Sequence, residues 1–450
     1  MRARTAVWEE LDLVRRLGDV LDVAQNVIDC LAGDGYVDPD APDNGLRPEK
    51  VIAESALLMS AASTASRHPP IRERVHALAM QLAPHARSER MVLGACVEPA
   101  LAWEYAQAHV MLSWLGYPCR RFDEVLERAC TARAHRGRER PPYRALEQAW
   151  IARMSRVTGR RSTASPGRAP PVARQSTLAT GMDLLSGSRD DVYAFTHGLL
   201  YLRGFTEPPL RLPRRRSAIL GDAEAAIARC LDEEDYDLGG EVLLAWPLTG
   251  HRWSNGAAFA FRVLANVEDQ AGFLPSAGTR PERLAGLHGE PRRRCLLATA
   301  YHTVYVMGLL CAAALQPGRA PPTVIRGRGD RPGTARTLLE MLDEDERRPQ
   351  WRRAIDDLPD ASREALAGLL MSIGLRRSVV RRDFAKLREF LRVGAEGGLA
   401  NRPAALQAAD LLDRLRFAMD PSRFDGGAAP QDRFGSNLDD AAALSAHRTR

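Results

Sequence analysis

The chain has 450 residues, 45% of them hydrophobic and 27% charged. That is the make-up of a folded globular protein long enough for two cores, and it excludes a disordered or fibrous chain. A net charge of +6 comes almost wholly from arginine, because Lys50 and Lys386 are the only lysines. The basic clusters Arg214–Arg216, Arg292–Arg294 and Arg381–Arg382 are scattered, and no aromatics interleave them, so the pattern argues against a nucleic-acid groove.

The chain opens MRARTAVWEELDLVRR, with no apolar region ahead of the first amphipathic pattern. No signal peptide is expected, and the expected location is the cytoplasm. No run is read as reaching the ~18 uncharged apolar residues that a membrane span needs. Trp8, Leu11, Val14, Leu17 and Leu21 recur near helical spacing and predict a helix over 7–32. Turn chemistry fills GDGYVDPDAPDNGLRP, and Pro48 stands where a helix can begin. Helices are predicted next over 49–66, 70–84, 97–116, 122–135 and 142–157.

Residues 158–176, TGRRSTASPGRAPPVARQS, lose apolar periodicity and read as an exposed Pro-, Ser- and Arg-rich linker. Helical patterns resume over 177–186, 189–204, 217–233, 237–249 and 254–268. They continue over 292–316, 333–345, 360–374, 377–394 and 403–418, and TVIRG at 323–327 is the one run considered for a strand. The expected fold is all-α. It comprises an N-terminal helical domain over 1–157, the linker over 158–176, a C-terminal α/α-toroid-like domain over 177–420 and a flexible tail over 421–450. The seven cysteines form no CxxC pair and are expected to be reduced core thiols, several of them in apolar helical context.

Chemistry concentrates on two apolar segments. In RDDVYAFTHGLLYLRGF, residues 189–205, helical spacing places Asp190, Tyr193, His197 and Tyr201 along one side. A hundred residues on, CLLATAYHTVYVMGLLCAAAL puts Cys295, Thr299 and His302 on one face, with Tyr305 just beyond. Between them, EDYDLGGEVLLAWPLTGHRW sets Asp237 and Glu241 four apart ahead of Trp246, and Glu241 is placed to project into the same space.

Three readings of the stripes stand open. In one, His197, Tyr201, His302 and Tyr305 are satisfied core residues bridging packed helices. In another they are catalytic groups of a pocket, histidine as acid or base and tyrosine as partner, with Tyr193, Asp190, Glu241 and Trp246 binding substrate. In the third, the one cofactor the pattern allows for is a divalent metal on His197, His302 and Cys295. The partner expected is a small molecule, or a peptide- or carrier-bound substrate, and neither nucleic acid nor membrane. From a different class, the rival is a non-catalytic helical module that recruits a protein partner.

Thr196-His197-Gly198-Leu199-Leu200-Tyr201 and His302-Thr303-Val304-Tyr305-Val306-Met307-Gly308-Leu309 resemble the shared words of an uncharacterised family of actinobacterial helical proteins. The arginine bias fits such a GC-rich source, and the resemblance implies a setting near natural-product genes. More distantly, ANVEDQAGFLPSAG at 265–278 is similar to a helix-end phrase of α/α-toroid enzymes of the terpene-cyclase and lanthionine-cyclase type, with Ala271 where their Asp stands. That likeness implies a central cavity and no particular reaction.

Overall fold

The computed structural model describes residues 9–31, 48–132, 139–157, 167–206, 208–325, 332–343 and 349–419. The expected tail, the first part of the expected linker (158–166) and the end of TVIRG lie outside these residues. The first half holds α1 (Glu10–Asp29), α2 (Pro48–Ala62), α3 (Pro69–Ala86), α4 (Glu89–Val97), α5 (Ala102–Trp114), α6 (Arg120–Thr131) and α7 (Pro142–Val157). Then come α8 (Thr177–Thr180), α9 (Arg189–Arg203), α10 (Arg216–Glu233), α11 (Tyr236–Leu243), α12 (Ala245–Thr249) and α13 (Asn255–Ala271). The rest is α14 (Pro281–Ala285), α15 (Gly289–Ala314), α16 (Thr334–Asp343), α17 (Gln350–Asp356), α18 (Asp360–Glu364), α19 (Ala367–Val380), α20 (Phe384–Glu396) and α21 (Pro403–Ala418). No strand occurs among the described residues, and the class is all-α.

Local chemistry explains most boundaries, including those that differ from expectation. α9 opens on a capping box: the Ser188 hydroxyl accepts from the Asp191 N–H, and the Asp191 carboxylate accepts from the Ser188 N–H. The single helix predicted over 97–116 is interrupted, because Pro99 has no N–H to donate and Glu98 before it leaves the helical region (φ −116°, ψ 66°). α19 runs on through Val380, past the predicted break. Arg382 then takes a left-handed φ of 59°, and the Asp383 carboxylate accepts from Lys386 N–H to start α20. α8 is only one turn, ended by Gly181 at φ 87°.

One hydrophobic core runs from Leu13 on α1 to Ala408 on α21. α1 and α2 pack on α15, and α7 packs on α9, so helices from before and after residues 158–176 share that core. Within this segment, Gly167 accepts from Arg211 N–H, and residues Pro171–Gln175 form a 3-10 turn that buries Ala173. α15 is long and apolar enough to cross a membrane by length and composition, which corrects the expectation that no run reaches that size. The fold buries 72% of its apolar window, against helices that include α1, α2 and α11.

Gly308 permits that close packing. A Cβ there would stand 2.6 Å from Val20 Cγ1 and 2.8 Å from Leu58 Cδ1, on the two helices that cover α15. Gly308→Ala is expected to destabilise the protein by about 1–3 kcal/mol through overpacking, read as a lower midpoint in urea. An unchanged midpoint would show that α1 or α2 yields freely.

Candidate functional site

Three helices turn stripes toward one cavity of about 350 Å³. α9 contributes Tyr193, Thr196, His197, Leu200 and Tyr201. α2 contributes Lys50, Ala53, Glu54 and Leu57, and α15 contributes His302, Tyr305, Val306 and Leu309. Each set follows the three- and four-residue steps of one helix face. Glu241 from α11, Arg144 and Glu147 from α7, and Glu104 and Gln107 from α5 complete the polar wall.

At its centre the Glu241 carboxylate stands between the two imidazoles. Its Oε2 is 3.4 Å from His197 Nδ1, and its Oε1 is 3.6 Å from His302 Nε2. The Thr196 hydroxyl donates to the same Oε2 at 2.6 Å. Burial alone would raise the Glu241 carboxyl, but the two imidazoles hold it far below the usual carboxylate range.

His302 faces carboxylates from every side. Nδ1 lies 3.1 Å from Glu54 Oε1, and Nε2 lies 3.5 Å from Asp237 Oδ1 as well as beside Glu241. Burial would drive this imidazole toward its neutral form. Glu54, Glu241 and Asp237 outweigh that and push its pKa well above 6.5. The Glu54 contact is an ion pair without hydrogen-bond alignment, since His302 Nδ1 has no hydrogen-bond partner among the described residues. Glu54 would be raised by burial and is held down by His302, whereas Asp237 stays above its ordinary value because burial outweighs His302. His302 is therefore a fixed imidazolium and a poor proton acceptor.

His197 is held differently. Its Nδ1 lies 3.1 Å from the Tyr193 carbonyl oxygen, which can only accept, so in the neutral ring the proton sits on Nδ1. The ring stacks on Tyr193 at 3.8 Å and meets the edge of Tyr201 at 5.8 Å. Nε2 has no partner among the described residues, and His197 lines the cavity. Tyr201 donates to Glu147 Oε1 at 2.9 Å, and Arg144 holds the other oxygen at 2.8 Å. Tyr305 and Ser55 share a hydrogen bond at 3.0 Å. Burial first, with nearby carboxylate charge adding, raises the Tyr193, Tyr201 and Tyr305 phenols, so all three keep their protons.

Not every expected residue is here. Asp190 is exposed in the first turn of α9 and borders a separate depression with Tyr143 and Thr177. Trp246 is fully buried and stacks on Trp253 at 6.1 Å, away from the cavity lining. The metal set of His197, His302 and Cys295 is not assembled. Cys295 sits two turns before His302 on the same helix, roughly 10 Å along its axis, and no group of three His, Cys, Asp or Glu side chains is placed to hold a metal ion among the described residues. Glu54, Gln107, Arg144 and Glu147 were not foreseen. Only Glu54 carried a signal, as a lone charge inside the apolar run VIAESALLMSAAS.

The chain belongs to the family described as Domain of unknown function (DUF6895), whose model matches residues 21–312. No curated protein and no solved structure matches it. The matched span begins on α1 and ends within α15, so it contains every cavity residue described above.

Proposed function

We propose that this member of the family is an enzyme, or a ligand-binding protein descended from one, that moves a proton on a small molecule held in the cavity. The observation that supports this most is the Glu241 carboxylate shared by the imidazoles of His197 and His302. His197 keeps its proton on Nδ1 and turns a bare Nε2 to the cavity, the arrangement of a general base or acid. When Nε2 takes a proton, Glu241 is in place to stabilise the imidazolium. Tyr193 can donate to negative charge that develops on the ligand, and the His302 imidazolium adds a fixed positive field.

The cavity lies at the small end of the ligand-pocket range. It suits a small molecule or the tip of a carrier-bound one. An α/α-toroid ancestry, a cytoplasmic location and a tailoring role in actinobacterial specialised metabolism belong to the same reading. The rival recruiting module needs no cavity walled by titratable groups from several helices, which favours the enzyme.

His197→Asn keeps a donor for the Tyr193 carbonyl and removes the bare nitrogen. Turnover should fall by about 10²–10⁴-fold, with the melting temperature little changed. The measurement is a mass-spectrometric comparison of a bacterial metabolite extract incubated with each protein. If the wild type alters and retains no metabolite while His197→Asn unfolds, His197 is a core residue and the proposal fails.

A further inference from the structure

The proposed function leaves the ligand's class open, and the cavity wall bears on it. Glu49, Glu54, Glu104, Glu147 and Glu241 line the space, against three cations, Lys50, Arg144 and the His302 imidazolium. All three are engaged: Arg144 holds Glu147 at 2.8 Å, Lys50 lies 3.6 Å from Glu54, and His302 lies between Glu54, Glu241 and Asp237. An anionic ligand would meet carboxylates and no free counter-charge. Arg90 pairs with Glu49, and Arg140 holds Glu104 Oε1 at 2.6 Å, which leaves Glu104 Oε2 without a partner among the described residues.

The second observation is independent of charge. Gln107 is 8% exposed, lines the cavity, and its carboxamide makes no hydrogen bond to any described residue. With no partner among the described residues, this amide is free to pair with whatever occupies the cavity. Gln107 lies one turn after Glu104 on α5, so their side chains share a face with roughly 5–6 Å between Cβ atoms. The rings of Tyr105, Tyr193, Tyr201 and Tyr305 also line the space and are attractive to a cation.

We infer that the cavity takes a small amine. Its ammonium is received by Glu104 Oε2, and a hydroxyl or carbonyl two or three bonds away is read by the Gln107 amide. The inference rests on the cavity being a ligand site, as proposed above, and adds the ligand's charge and its second polar group.

Three probes on one skeleton test it by calorimetry at pH 7: phenylalaninol (ammonium and hydroxyl), 3-phenylpropan-1-ol (hydroxyl alone) and 3-phenylpropionate (an anion). Phenylalaninol should bind about tenfold or more tighter than the neutral alcohol, with the anion weakest. Glu104→Gln, which keeps an acceptor for Arg140, should remove most of the advantage of the amine and leave the alcohol unchanged. Gln107→Leu should weaken both alcohols about tenfold while the unliganded protein melts no lower than the wild type, because that amide supports nothing inside the fold.

The inference is overturned if the anion or the neutral alcohol binds as tightly as the amine, if none of the three binds, or if Gln107→Leu lowers the melting temperature. None of these outcomes touches proton transfer at His197, which the extract comparison reads separately. Loss of that activity in His197→Asn together with tight anion binding would leave the active site standing and refute only the amine.

Discussion

Glu241→Gln is expected to lower stability by about 2–3 kcal/mol and to move the alkaline limb of the stability profile toward neutral pH. The substitution is nearly isosteric and keeps an acceptor for Thr196, so the loss reports charge. In the wild type, Glu54 and Glu241 are held below their unfolded value near 4.5. Their contribution is complete above that value and is lost as pH falls through the lowered folded ones. His302 runs the other way: raised above 6.5, it contributes fully below that pH, and the contribution drains as pH rises through its higher folded value. Asp237, raised by burial, stabilises only toward acid. Stability should therefore be broad between the carboxylate range and about 6.5 and decline in alkali. Removing Glu241 strips one of three carboxylates from His302, which lowers the folded value, so the decline becomes smaller and is complete at lower pH. Urea unfolding from pH 5 to 9 measures it. An alkaline limb identical to the wild type would mean that Glu241 does not hold His302 charged.

How far the site could be read in advance follows from where its parts lie. α9 and α15 carry their polar groups at helical spacing within apolar segments, so His197, Tyr201, His302 and Tyr305 were legible as stripes. That a carboxylate joins them was legible for Glu241, since a helix that becomes fully apolar after it leaves few reasons for a charge there. The opposite wall was not. Gln107 in AWEYAQAHVML and Glu147 in YRALEQAW look like ordinary helix polar residues, and only the packing of α5 and α7 against α2 and α9 turns them inward. The packing of the first-half helices on α15 is a long-range choice of the same kind. It depends on Gly308 and on which faces match, and periodicity within one segment carries no information about either. Asp190 and Trp246 lie outside the cavity lining for simpler reasons. A helix's first turn is solvated and favours acidic residues, and a tryptophan in an apolar run is more often core than wall.

The largest stability effect is expected at Arg16, which is not part of the cavity lining. Only 1% exposed, it bonds Asp12 Oδ2 at 2.9 Å on its own helix and Asp269 Oδ2 at 2.8 Å on α13, and it also pairs with Glu268. Replacing it with methionine fills a similar volume and leaves Glu268, 12% exposed, without its cation. Breaking a buried pair from one side costs about 3–5 kcal/mol, mostly the penalty of the stranded charge. Burial already raises the Glu268 carboxyl above its ordinary value in spite of Arg16, and without Arg16 it should rise further. A carboxyl with a raised folded pKa is penalised above that pKa and relieved below it. The deficit of Arg16→Met should accordingly be full at pH 8 and shrink toward pH 5, as the stranded group takes up a proton. Adding Glu268→Gln should restore most of the loss at pH 8, because it removes the charge and not the packing. A deficit that ignores pH and survives in the double variant would mean that the contact of α1 with α13 depends on the shape of the arginine and not on its charge.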